Sequence, residues 1–176
     1  MVFLDESGFL LLPTVRRTWA PKGETPVVRH RYRRDKVSAI SAITVSARRR
    51  RLGLYAHLHC ENITHVEVAL FLRLLLRHLP GNIIVLWDGG PIHFGPSVRQ
   101  LLARHPRLHT ERFPAYAPEL NPDELVWNYL KGKLANSSPD NIDELVGAIS
   151  LQTRRLRRAP ALLRAFILGS ELPSLF

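Results

Sequence analysis

Residues 83–87 read Ile-Ile-Val-Leu-Trp, with Pro80-Gly81 shortly before them and Asp88-Gly89-Gly90-Pro91 directly after. A strand with one wet face alternates polar and apolar residues, whereas an unbroken apolar run of this length suits a strand covered on both faces. A chain containing such a strand must supply covering layers on two sides, which points to an α/β arrangement with helices packed on a sheet.

The flanking segments supply those layers. Val2–Leu12 is mostly apolar, interrupted by Asp5-Glu6-Ser7-Gly8 and ended by Pro13, and predicts a first strand. Residues 37–45 are small and β-branched, and residues 52–59 alternate Leu52, Leu54, Ala56 and Leu58 with Gly53, Tyr55, His57 and His59. These predict two more strands, joined by a hairpin tip carrying Arg48, Arg49, Arg50 and Arg51. Thr64, with Glu67 three residues on and Val68, Phe71, Leu72 and Leu75 at helical spacing, predicts a capped helix ending at His78. Pro96–His105 reads as a short helix, Leu108–Phe113 as a strand, and Asn121–Ala135 as a helix. Asn141 to about Arg158 reads as a last helix, with Glu144 three residues after its capping Asn141. Residues 13–36 are a long polar connection whose one large apolar anchor is Trp19. Three strands followed by alternating helices and strands predict a mixed sheet flanked by helices, in a single domain over 1–176.

The chain carries 25 Lys and Arg against 15 acidic residues, a net charge of +10. Such an excess favours a partner rich in phosphates, because neutralising them releases condensed counterions. One cysteine, Cys60, excludes an internal disulfide framework and a Cys-based zinc site, and reads as core filler in a reducing cytosol. The longest apolar run, Val68 to Leu76, is broken by Arg73 and too short to span a bilayer. Asp5 and Glu6 stand where a signal peptide would carry its basic and apolar regions. A cytoplasmic protein is expected, with no membrane partner.

Within this basic chain three acids stand out. Asp88 ends the apolar run at the carboxyl edge of a central strand, where open α/β sheets place ligands; an Asp-Gly turn capping its own backbone explains it equally well. Asp5 interrupts a strand, where an acid needs a partner or a metal to offset desolvation, unless the N-terminus leaves it solvated. If the first and fourth strands are neighbours, Asp5 and Asp88 come side by side and repel unless a divalent cation neutralises them. Glu124 lies at the third position of a helix begun by Asn121 and Pro122, with Leu120 and Leu125 as a hydrophobic staple, so helix initiation alone accounts for it. The same geometry fixes a carboxylate rigidly, as a metal ligand requires, and Asp123 is a rival one residue away. The residues themselves leave that choice open.

Weaker candidates surround these. His57 and His59 share a strand face but make only two ligands. Ser7 lacks the nucleophile-elbow pattern, and no glycine-rich phosphate loop is present. His93, five residues after Asp88, is a candidate to touch substrate or metal, and at least as readily a loop histidine with no role.

LDESGF, RRTWAPKGETP, VLWDGGPIH and FPAYAPELNPDELVWNYLK occur in that order. Together they resemble, essentially end to end, the catalytic domain of bacterial insertion-sequence transposases related to the Tc/mariner superfamily. The resemblance implies a ribonuclease-H-like fold and an Asp-Asp-Glu triad binding two divalent metals. By motif, Asp5 is the first acid, Asp88 the second and Glu124, the acid of Asn-Pro-x-Glu, the third. Residues 89–123, 35 positions, separate the last two, close to the family's usual gap. Gly89 departs from the Asn that many relatives carry after the second acid. The family's N-terminal helix-turn-helix portion is not in this sequence, which fits a second reading frame, a remnant or the catalytic half alone.

The resemblance further implies Mg²⁺, with Mn²⁺ as a substitute, at a two-metal site for in-line phosphodiester chemistry. Its DNA partners would be transposon ends and target, with a second copy of the chain and a separate helix-turn-helix protein as further partners. Arg48, Arg49, Arg50, Arg51, His93 and Lys131 are the candidate DNA contacts, joined by Arg29–Lys36 and Arg154–Arg158 as basic surfaces. Two other readings share this fold: a non-catalytic DNA-binding or assembly remnant, and a repair nuclease.

Overall fold

A computed structural model describes residues 1–12, 15–27, 35–48 and 51–173. Five strands and five α-helices follow in order: β1 (Val2–Leu10), β2 (Lys36–Val45), β3 (Leu52–His59), α1 (His65–His78), β4 (Ile83–Trp87), α2 (Pro96–Arg104), β5 (Leu108–Arg112), α3 (Pro122–Leu134), α4 (Ile142–Arg157) and α5 (Pro160–Gly169). The expected order is present throughout. The addition is α5, which Pro160 starts and whose Leu163, Phe166 and Ile167 are buried at helical spacing.

The strands form one sheet in the order β3-β2-β1-β4-β5, antiparallel from β3 to β1 and parallel from β1 to β5. Helices cover both faces. α1 and α2 pack Val68, Leu72, Leu75, Val98 and Leu101 on Val2, Leu4, Val85 and Trp87. On the opposite face α3, α4 and α5 pack Trp127, Leu130, Ile149, Leu156 and Leu163 on Phe3, Phe9, Val37 and Ile43. The double cover expected of β4 is incomplete. Ile83, Val85 and Trp87 are buried under α1 and α2, but Ile84 is 41% exposed, because α3–α5 lie mainly over β1–β3.

Local signals explain the helix ends. Thr64 and Glu67 form a full capping box on α1, and Asn141 caps α4 by accepting from the Glu144 backbone N–H. Arg107 donates to the carbonyls of Leu76, Leu79 and Gly81, closing the C-terminus of α1.

Two side chains sit elsewhere than expected. Cys60 lies just past the end of β3 and is exposed, so it fills no core. Trp19 is 99% exposed and anchors nothing within the chain; its segment is tied instead by reciprocal hydrogen bonds between the Arg16 backbone and the Asn136 side chain. No described helix is long and apolar enough to cross a membrane.

Candidate active site

Strand parity decides which acids face one another. Along β1, Phe3 faces α3 and Leu4 faces α1, so Asp5 turns toward α3 and Glu6 toward α1 and α2. β1 and β4 pair in parallel with Phe3 opposite Leu86. Continuing that register by two residues sets Asp5 opposite Asp88. The first turn of α3 closes over this edge, and Asp5, Asp88 and Glu124 line one open cleft of about 610 Å³ with Arg112, Tyr116 and Asn121.

Each acid is held by different neighbours. Asp5 is buried, and its Oδ2 accepts from Trp127 Nε1 at 2.9 Å. Desolvation, then the charges of Glu124 and Glu6, raise its pKa from 3.8 to about 7, against the lowering effect of the Trp127 bond. Asp88 is 62% exposed at the mouth of the cleft. Its Oδ1 accepts from the Gly90 backbone N–H at 2.8 Å and lies 2.9 Å from His93 Nδ1. A side chain at Gly90 would bring a Cβ to 2.9 Å from that oxygen, so the Asp88 carboxylate would have to shift to admit one. Asn121 caps α3 through the Asp123 backbone N–H, and its Nδ2 donates to the Leu4 carbonyl at 3.1 Å. One residue thus starts the helix and pins it beside Asp5.

Asp123 and Glu124 part company here. Asp123 is fully buried, faces β2 and accepts from the Ser41 hydroxyl at 2.5 Å, while its Oδ1 has no partner. Burial pushes its carboxyl well above the ordinary range, with the charges of Asp5, Glu6 and Glu124 adding to this. Its bond to Ser41 locks α3 to the sheet, and Glu124 is the residue of the pair that borders the cleft.

His93 is not on the surface where a DNA contact was expected. It is 1% exposed and stacked on Trp87 with ring centroids 4.5 Å apart. Its Nδ1 faces the carbonyl and Oδ1 of Asp88, and its Nε2 lies 3.1 Å from Glu6 Oε1. Burial disfavours the charged ring, but the hydrogen bond and charge of Glu6, with Asp88, outweigh it and raise the pKa. With acceptors facing both nitrogens, the ring ties β1 to the Asp88 turn. Both ring nitrogens face acceptors of this chain, and the DNA contact at His93 stays an expectation of the sequence.

The remaining candidates lie away from the cleft. Lys131 borders a separate pocket with Phe9, Leu11 and Leu134, its Nζ 5.9 Å from the Phe9 ring. Arg48 and Arg51 are exposed at the β2–β3 turn; Arg49, Arg50 and residues 29–34 lie outside the described residues. His57 Nδ1 and His59 Nε2 are 3.0 Å apart, a pair without a third ligand among the described residues. Glu6, Arg112 and Tyr116 escaped the sequence reading. Glu6 was legible as the neighbour of Asp5, and Arg112 as a cation at a strand's carboxyl end. Tyr116 shows only in three dimensions, by its positive φ of 59° and its full exposure at the cleft.

The donor set is all oxygen, and Asp5 is crowded by negative charge that a dication would relieve, so these residues fit a hard metal ion. As placed, no three His, Cys, Asp or Glu side chains among the described residues converge to enclose one ion. Closing a ligand set would therefore take side-chain rotation.

The sequence matches the DDE superfamily endonuclease family over residues 1–146. No curated protein matches it. Among solved structures, the Mos1 transposase paired-end complex with the left transposon end aligns at 19% identity and a TM-score of 0.64, covering 97% of this chain and 55% of that one. The Mos1 mariner paired-end complex with Mn aligns at 18% identity and 0.64, covering 98% and 56%. The catalytic domain of Mos1 mariner transposase aligns at 15% identity and 0.59, covering 98% and 83%. This likeness shows a ribonuclease-H-like fold, and the chain spans about half the length of the transposases in the two paired-end complexes. With the family matched over most of its length, this chain belongs to the DDE superfamily endonucleases.

Proposed function

We propose that this chain cleaves and joins DNA strands by divalent-metal-dependent, in-line phosphodiester chemistry, with Asp5, Asp88 and Glu124 as the acids that hold the metal. The observation carrying this reading is that the three carboxylates, from two parallel strands and a helix start, line one open cleft where the ionised form of Asp5 is disfavoured. Mg²⁺ suits such an oxygen-rich site, with Mn²⁺ able to replace it and two ions the expected count. Bound there, the metal would neutralise charge at the phosphate and lower the pKa of the attacking water or 3′-hydroxyl.

The chain's own residues set the geometry. Trp127 orients Asp5, Gly90 and His93 orient Asp88, and Asn121 holds the turn that carries Glu124. Arg112 offers a cation to the DNA backbone at the cleft, and the exposed Tyr116 ring offers a face on which a base can stack. DNA, as transposon ends and target, is the substrate that follows from the family. Joining two ends calls for a second copy, and the exposed Trp19 on the 15–27 arm is the surface available to meet it.

A strand-cleavage assay in Mg²⁺ on end-containing and generic duplexes tests the proposal. Wild-type nicking should vanish in Asp88→Ala and in Glu124→Ala. Nicking that persists in either variant would sink the assigned triad, and none in the wild type would leave the assembly-subunit reading.

A further inference from the structure

The candidate site uses one end of the sheet, yet much of the positive charge lies at the other. Arg73, Arg77, Gln100, Arg104, His105 and Arg107 border a groove of about 360 Å³ between the C-terminal halves of α1 and α2. Among the described residues no acidic side chain borders it. From Val68 to Thr110 the chain has five arginines and a single acid, Asp88, which belongs to the cleft.

Local structure accounts for only part of this. The guanidinium of Arg107 is occupied by the α1 carbonyls. Arg77 and Arg104 sit in the last turns of their helices, where a cation complements the helix dipole. Arg73 lies further in than that attraction reaches and repels Arg77 one turn on. Arg73, Arg77 and Arg104 are all exposed, and none has an acidic partner among the described residues. Three like charges gathered around one concave surface without counter-charge are what a polyanion backbone requires.

The groove is remote from the cleft. The Ile83 backbone N–H bonds the Arg107 carbonyl at the start of β4, whereas Asp88 follows its end, roughly 17 Å away at 3.3 Å per residue. The β2–β3 turn lies at this same end, because β2 runs antiparallel to β1 with Thr44 opposite Val2. Arg48 and Arg51 therefore extend the basic pole.

We propose that this groove docks duplex DNA through its phosphates, on a segment apart from the one in the cleft. The proposal rests on the DNA-processing reading above. Fluorescence anisotropy of the full chain with a labelled random duplex, across a salt series without metal, tests it. Arg73→Gln/Arg77→Gln/Arg104→Gln should bind at least about tenfold more weakly at low salt, with a log–log salt slope shallower by about 2 to 3, near 0.9 per lost phosphate contact. Arg73→Gln alone, away from both helix ends, should lower the slope by about 1 should the triple variant fold poorly. Unchanged slopes in folded variants overturn the groove, as does tighter binding of an RNA duplex than of the DNA. Nicking by the wild type in Mg²⁺ reports separately on the cleft: no nicking with a shallower variant slope upholds the groove while sinking the catalytic reading.

Discussion

Replacing Asp5 with Asn should make the metal-free protein markedly less sensitive to alkaline pH. The Asp5 carboxyl is lifted from 3.8 to about 7, by desolvation first and by Glu124 and Glu6 next. Between those values the folded protein holds a proton that the unfolded chain has released, so its contribution to stability falls as pH rises. Each pKa unit is worth about 1.36 kcal/mol, giving up to about 4 kcal/mol across the whole interval. More than a third of that is lost by about pH 5, which leaves about 2 to 3 kcal/mol to disappear between about pH 5 and pH 8. Asn keeps a carbonyl to accept from Trp127 Nε1 and carries no charge, so Asp5→Asn escapes this loss. Urea unfolding of both proteins at the two pH values checks it: the wild-type stability minus that of the variant should fall by about 2 to 3 kcal/mol on going alkaline. Subtracting the variant removes contributions from titrating groups not coupled to Asp5, whereas Asp123, whose carboxyl the Asp5 charge helps to raise, shifts along with it. Added Mg²⁺ should restore the wild type at alkaline pH more than the variant, because a ligand stabilises only the state that binds it. A difference that stays flat with pH would refute the crowding of charge around Asp5, and with it the electrostatic case for a metal there.

The other predictions concern the supports of the site. His93→Gln should cost about 1.5–3 kcal/mol below pH 6, the range for hydrogen bonds to charged groups, and less as the pH is taken well above the ordinary histidine range. The sign follows from the raised pKa of His93: its contribution is complete below the unfolded value and lost as pH rises through the folded one, and a cost that grows with pH would contradict the pairing of the ring with Glu6 and Asp88. Asn121→Ala should cost about 1 kcal/mol for the cap and more for the lost bond to the Leu4 carbonyl. Its thermal midpoint should fall accordingly, and an unchanged midpoint would mean that α3 is held by its apolar face alone.

How far the sequence could be read depended on how near the interacting residues lie in the chain. The Thr64–Glu67 box, the Asn141 cap, the alternation of β3 and the Asn-Pro start of α3 involve neighbours within a few positions, and all are visible as spacing. Asp5 and Asp88 stood out for the same reason, each an acid at the edge of an apolar run. α5 escaped because the residues after Arg158 were read as part of no element, although Pro160 and the spacing of Leu163, Phe166 and Ile167 carry its signal.

What remained open in the one-dimensional pattern turned on partners far apart in sequence. Asp123 and Glu124 are adjacent in the first turn of one helix, and nothing local separates them. A hydrogen bond from Ser41, 82 positions away, takes one into the sheet and leaves the other beside the cleft. His93 read as a loop residue until Glu6, 87 positions away, and the Trp87 ring enclosed it. Trp19 and Cys60, apolar enough to suggest burial, ended exposed because neither has a packed layer above it. Spacing along the chain specifies helices, strands and caps, since those arise from the backbone's own periodicity and end groups. The direction a side chain faces, and the charge it carries once there, depends on which distant strand or helix is packed against it, and that is settled only when the sheet closes.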